Sequence, residues 1–251
     1  KPPRASKALA EHWDMAVMSK TLATIEVHAD FPYELSEAKL GNIFTEEAYA
    51  FFQKLQFKNL LSKFDVTAPA NQVEDGFEQI IDYKKAEKVL DQAKESTCVG
   101  AVIFQNTENV LPLFANEAAI GGIGLCFDEE HAYCIEVTEQ ITKEFLLEKL
   151  SKLNESCGRF VMFDIKEAMK WLPIKNQKHC FDATVAAYLL NPLKNDYTYE
   201  DVAREQLNIV IEEKSEAYVK VCYEAYTAFK GSDLLYKKLE ETQMLHLFED
   251  I

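Results

Sequence analysis

Two aspartates, Asp164 and Asp182, each close an apolar run and open an amphipathic one, and this repeated plan constrains the chain more than any other feature. The first copy reads Phe160-Val-Met-Phe163-Asp164-Ile-Lys-Glu167; the second reads Phe181-Asp182-Ala-Thr-Val-Ala-Ala-Tyr188-Leu-Leu-Asn191-Pro192. A four-residue apolar run handing over to such a pattern predicts a buried strand feeding a helix. The helix after Asp182 carries Val185, Ala186, Leu189 and Leu190 on one face. It should stop at Asn191-Pro192, because proline cannot continue a helix and the residue before it avoids helical dihedrals.

Either aspartate can accept hydrogen bonds from the free amides of the helical turn it opens, and Glu167 completes a capping box with Asp164. A carboxylate at the mouth of a strand is also where a metal-dependent nuclease holds a divalent ion. On spacing alone, capping ranks ahead of ligation.

With 251 residues, 48% of them hydrophobic, the chain has enough apolar surface for one large or two modest cores. No apolar run approaches the ~20 residues of a membrane-spanning helix, so a soluble globular protein is expected. A chain opening on Lys1, with no charged-then-apolar leader, is expected to begin inside a longer protein. Its cysteines, Cys98, Cys126, Cys134, Cys157, Cys180 and Cys222, form no C-x-x-C pair, which fits a reducing cytosol and argues against a zinc site. Net charge is −15, and residues 1–64 are balanced at 8 basic and 8 acidic, so the whole acidic excess falls after Phe64. That larger part should repel a nucleic-acid duplex, because binding is driven by cations displacing counterions from phosphates.

Residues 1–64 read as helical. Ala16, Val17, Leu22 and Ile25 recur at helical spacing before Phe31-Pro32, and Thr45 is expected to cap a helix whose inner stripe is Ala48, Phe51, Phe52 and Leu55. Leu60, Leu61 and Phe64 should close this module. Residues 65–76, with Pro69 and Gly76 and no apolar periodicity, read as a linker, and 77–95 as a polar lead-in helix with Ile80, Ile81, Tyr83 and Val89 as its contacts. Strand patterns follow at Cys98–Phe104, Ile120–Phe127 and Ala132–Val137, spaced as a meander. Thr138 or Thr142 can open a helix presenting Ile141, Phe145, Leu146, Leu150 and Leu153 to the sheet. Phe160–Phe163 makes a fourth strand by crossover, and helical segments are expected at Tyr199–Leu207, Ser215–Phe229 and Asp233–Phe248. Gly121-Gly122-x-Gly124 opens a strand, so it is not a phosphate loop. Trp13 and Trp171 read as core, and Tyr188, Tyr197, Tyr199, Tyr218, Tyr223 and Tyr226 as helix-packing residues with their hydroxyls at the rim. His179 reads as a loop residue.

Three strands, a helix, a fourth strand and then helices is the order of the ribonuclease-H-like 3′–5′ exonuclease fold, an α/β fold with a mixed sheet flanked by helices. Phe163-Asp164, the later Phe181-Asp182-Ala-Thr-Val-Ala-Ala-Tyr-Leu-Leu-Asn-Pro192 and Tyr199-Glu-Asp-Val-Ala-Arg-Glu-Gln-Leu207 together resemble the 3′–5′ exonuclease domain of the bacterial family A DNA polymerases, the DNA polymerase I family. Met18-Ser-Lys-Thr-Leu-Ala-Thr-Ile25 and Leu55-Gln-Phe-Lys-Asn-Leu-Leu61 look like the close of the 5′-nuclease domain of that family, and Leu247-Phe-Glu-Asp-Ile251 like the entry to its polymerase domain. The resemblance is collinear over nearly the whole chain. It implies a middle piece of such a polymerase: 1–64 the helical end of a 5′-nuclease domain, 65–95 a linker and lead-in helix, 96–251 an exonuclease-like domain. Implied partners are the polymerase and 5′-nuclease domains of the same parent chain, and DNA through them. The parent would use Mg2+ to synthesise DNA in replication and repair, in a bacterial cytoplasm; no cofactor is expected for this chain, and no membrane.

Active members of this exonuclease family hold two divalent metals with an Asp-x-Glu on the first strand, an Asp after the fourth strand and a late Tyr-x-x-x-Asp. Several carboxylates are needed, because two cations about 4 Å apart repel each other and anionic oxygens must offset this. Here the resemblance matches Gln105 and Thr107 to the first pair. A shift of one residue gives Asn106 and Glu108, recovers one acid and turns the strand's side chains to the other face. Asp164 keeps the second position. The late motif falls near Tyr223, with no aspartate between Asp201 and Asp233; Glu224 is the nearby acid, in what reads as a solvated helix position. Gln105, Thr107, Asp164 and Tyr223 are therefore expected to be vestigial, and the chain alone inactive. The alternatives are a working exonuclease using Asp164, Glu108 and Asp182 or Glu224, and a stand-alone interaction module on the same fold.

Overall fold

The computed structural model describes residues 3–28, 30, 36, 39, 41–55, 57, 60, 64, 72–106, 119–194, 197–211 and 214–250. The chain divides into two compact units, Lys1–Asp65 and Val66–Ile251.

In the first unit, α1 (Pro3–Glu11), α2 (Trp13–Ala23) and α3 (Glu46–Lys54) are helices. The Thr45 hydroxyl accepts the Ala48 amide at 3.2 Å, capping α3 as its sequence requires. The packing of that helix differs from its expected stripe. Phe44, Tyr49 and Phe52 set their rings edge-on around buried Phe64, with centroids 5.1 to 5.8 Å away, whereas Phe51 and Leu55 are exposed. The cause is tertiary: aromatic rings gather edge-to-face on Phe64, and that rotates the inner face of the helix away from Phe51. Trp13, expected in a core, is 66% exposed, and α2 buries none of its residues. Leu61 lies outside the described residues.

Among the described residues of the second unit, six strands form one mixed sheet. They are β1 (Phe77–Ile80), β2 (Cys98–Gln105), β3 (Ile120–Cys126), β4 (Ala132–Glu136), β5 (Arg159–Met162) and β6 (Cys180–Asp182), in the spatial order β1-β4-β3-β2-β5-β6. The β2–β3–β4 meander is antiparallel, while β1 pairs parallel with β4, β5 with β2, and β6 with β5. β1 is a correction, because residues 77–80 read as the start of a helix. Four residues are too few for periodicity to separate strand from helix, and the pairing of Ile80 with Ile135 on β4 supplies what the local sequence lacks. The helix begins only at Tyr83: α4 (Tyr83–Ala93) is capped by Asp82, whose carboxylate accepts the Lys85 amide at 2.9 Å.

The alternation of strand side chains divides the core into faces. Val99, Ala101 and Ile103 of β2, with Phe160 and Met162 of β5, pack against α4 and α5 (Lys143–Ser156). Thr142 caps α5 at 3.2 Å, and Ile141, Leu146, Leu150 and Leu153 are buried as expected. The opposite face carries Gly100, Val102 and Phe104 of β2 and Val161 of β5. It is covered by α7 (Ala183–Leu190), α8 (Tyr199–Leu207) and α9 (Ala217–Glu241), with α10 (Leu245–Asp250) beyond. A short helix, α6 (Ile165–Ala168), follows β5.

α9 corrects a second expectation, since Ser215–Phe229 and Asp233–Phe248 read as separate helices around Gly231. The helix runs through Gly231, where a Cβ would meet Val202 of α8 at 3.3 Å; the glycine admits a close helix approach instead of ending a helix. Gly100 has a stricter role. A Cβ there would come within 2.3 Å of the Ala225 carbonyl oxygen and 2.6 Å of the Phe229 nitrogen, so its missing side chain lets α9 lie directly on the sheet. All six cysteines are free thiols, four of them buried. Among the described residues, no helix is long and apolar enough to cross a membrane.

Candidate functional site

The site is built where β5 and β6 end. β5 stops at Met162, and Asp164 takes a left-handed conformation (φ 51°, ψ 65°) that turns the chain sharply into α6. Its side chain accepts the Glu167 amide at 3.2 Å, while its own amide donates to the Thr184 hydroxyl at 3.1 Å. Asp182 does more. One carboxylate oxygen accepts the Ile165 amide at 2.8 Å, and the other accepts the amides of Thr184 and Val185 at 2.9 and 3.1 Å. It therefore caps α7 and also holds the first turn of α6. Burial raises the Asp182 pKa, the three amides counter that, and the charge of Asp164 raises it further.

The loop between α6 and β6 is pinned from α5. Asn154, fully buried, accepts the amides of Lys175 and Asn176 at 3.0 and 2.9 Å and donates to the Asn176 carbonyl at 3.0 Å. Ser151 donates to the Pro173 carbonyl at 3.1 Å. His179 lies in a short 3-10 turn (Gln177–His179), its ring nitrogen 2.9 Å from the Asn176 side chain.

Gln105 is the exposed last residue of β2, beyond a register shift at Phe104/Gln105. Asn106 lies just past the strand, its amide bonded to the Ala119 carbonyl, and Thr107 and Glu108 lie outside the described residues. Extending the Gly100–Val161 register by three residues puts Asp164 level with Ile103. The β2 residues on the α9 side at that level are Val102 and Phe104, both packed in the apolar cluster with Val221, Ala225 and Tyr226.

Tyr223 is fully buried, its ring edge-on to Phe77 at 4.8 Å and its hydroxyl donating to Glu74. Phe77 belongs to β1, with β4, β3 and β2 between that strand and β5, so Tyr223 faces away from Asp164. Its hydroxyl is also inside, not at the rim. Tyr188, by contrast, is half-exposed.

Glu224 departs from its expected place. It is no solvated helix position: burial first, and the charge of Glu200 second, push its carboxyl up to about 7. Tyr199 is held above its ordinary value by burial and by Glu200 and Glu224, and its ring meets Phe163 at 6.4 Å, one residue before Asp164. Glu200 and Tyr199 were not singled out as site residues by the sequence; only their place in the Tyr199–Leu207 motif could have marked them. Among the described residues, no three His, Cys, Asp or Glu side chains converge closely enough to hold a metal ion. The described donors thus do not fit a two-metal centre.

No protein-family model matches the chain. It is 28% identical over 199 residues to DNA polymerase I of Geobacillus stearothermophilus, which covers 76% of this chain and 21% of that protein. It is 28% identical over 203 residues to DNA polymerase I of Bacillus subtilis, covering 80% of this chain and 22% of that protein. The chain thus spans about a fifth of the length of these curated relatives. Among solved structures, the catalytic core of RRP6 from Trypanosoma brucei superposes with a TM-score of 0.54 at 11% identity, covering 74% of this chain and 52% of that one. The POL domain of Pol1 from M. smegmatis, solved with DNA primer-template and dNTP, gives 0.52 at 16% identity over 68% of this chain and 29% of that one. The second unit has the ribonuclease-H-like exonuclease fold, and the chain is similar over most of its length to bacterial DNA polymerase I.

Proposed function

We propose that this chain is a middle segment of a polymerase-I-like protein in which the exonuclease-like domain is catalytically silent and serves as a structural support. The observation that carries this reading is the composition of β2 beside Asp164. When the β2–β5 register is extended beyond Gly100–Val161, Val102 and Phe104 fall at the level of Asp164 on the α9 side and pack in the apolar cluster there, where a two-metal exonuclease would need carboxylates. The capping duties of Asp182 support it too: a carboxylate accepting three backbone amides is committed to local structure. In this reading the partners are polymerase and 5′-nuclease domains of the same parent chain, DNA is contacted through them, and Mg2+ serves the polymerase alone. DNA synthesis in replication and repair, in a bacterial cytoplasm, would be the work of the parent protein.

A second reading is favoured by one observation. Glu224 is half-buried beside Tyr199 and Glu200, and a part-buried acid of raised pKa is a functional-site candidate. With Asp164 and Glu108 it would serve a metal-dependent 3′–5′ exonuclease.

Digestion of a 3′-labelled single strand by the purified chain, in magnesium and in manganese, separates the two. Silence predicts no shortening in either metal while circular dichroism shows the fold intact. Shortening that is lost in Asp164→Ala and in Glu224→Gln would establish the exonuclease instead.

A further inference from the structure

We draw no further inference here: the strongest candidate, the exposed apolar stripe of Met15, Met18 and Leu22 along α2, is an unpartnered helix face, and nothing in the structure shows what covers it.

Discussion

The Asp182 carboxylate accepts the Ile165 amide at 2.8 Å, so the residue that opens α7 also holds the start of α6, 17 positions earlier in the chain. One side chain thereby fixes how two strand-to-helix turns lie against each other. Asp182→Ala should lower stability by roughly 2–3 kcal/mol, since it removes a cap and leaves a part-buried amide of another helix unpaired. Asp164→Gly, which loses one accepted amide but leaves the left-handed turn unstrained, should cost about 1 kcal/mol at most. Urea unfolding of the two variants, followed by circular dichroism, checks the ranking; equal losses would show that the Ile165 contact contributes nothing.

Asn154 should be the most sensitive polar residue of the core. Its carboxamide oxygen accepts two loop amides at a fully buried position. Asn154→Ala is expected to cost roughly 2–4 kcal/mol, through the unpaired Lys175 and Asn176 amides. Faster hydrogen exchange at those two amides, with α9 unchanged, is the accompanying local signature.

Gly100→Ala should be more damaging than its size suggests. The added carbon would meet backbone atoms of α9, which cannot rotate aside as a side chain can. A loss of about 3 kcal/mol or failure to fold is expected, while Gly41→Ala, where nothing lies within 4 Å, should change little. Thermal unfolding of both variants makes the comparison.

Thr227 predicts the opposite sign. Its hydroxyl is fully buried on α9 and has no hydrogen-bond partner among the described residues, so it carries a desolvation cost that none of them repays. Thr227→Val keeps the shape and removes that cost; stability should be unchanged or rise by up to about 1 kcal/mol. A clear loss in denaturant titration would show that the hydroxyl has a partner in solution.

Glu224 should make stability fall with rising pH. Its carboxyl is raised from 4.5 to about 7 in the folded state, mainly by burial, so the folded protein holds a proton that the unfolded chain has released. That contribution is fully present below pH 4.5, declines between 4.5 and about 7, and is absent above. Because burial also shifts Asp182 upward, part of the slope at the acid end belongs to that residue. Unfolding free energies measured from pH 5 to 8 should drop by about 2 kcal/mol in the unaltered protein and less in Glu224→Gln. Parallel profiles would assign the slope elsewhere.

The sequence by itself determined the local decisions. Asp164, Asp182 and Thr142 each announce a helix start because a short side-chain oxygen before an amphipathic run satisfies free amides without help from the rest of the chain. The meander was legible for the same kind of reason: β-branched and apolar runs bounded by breakers carry their strand character with them. Only the tertiary structure decided the rest. β1 becomes a strand because β4 lies beside it, α9 stays whole because Val202 can approach Gly231, and Phe51 faces outward because Phe64 draws the neighbouring rings. At the candidate site the division is sharper. Asp164 was readable from its strand-to-helix context, but the residues level with it depend on the β2–β5 register. The desolvation of Glu224 likewise depends on α8 folding over α9. Neither is encoded in spacing along the chain, because both are distances between segments that meet only once the sheet is assembled.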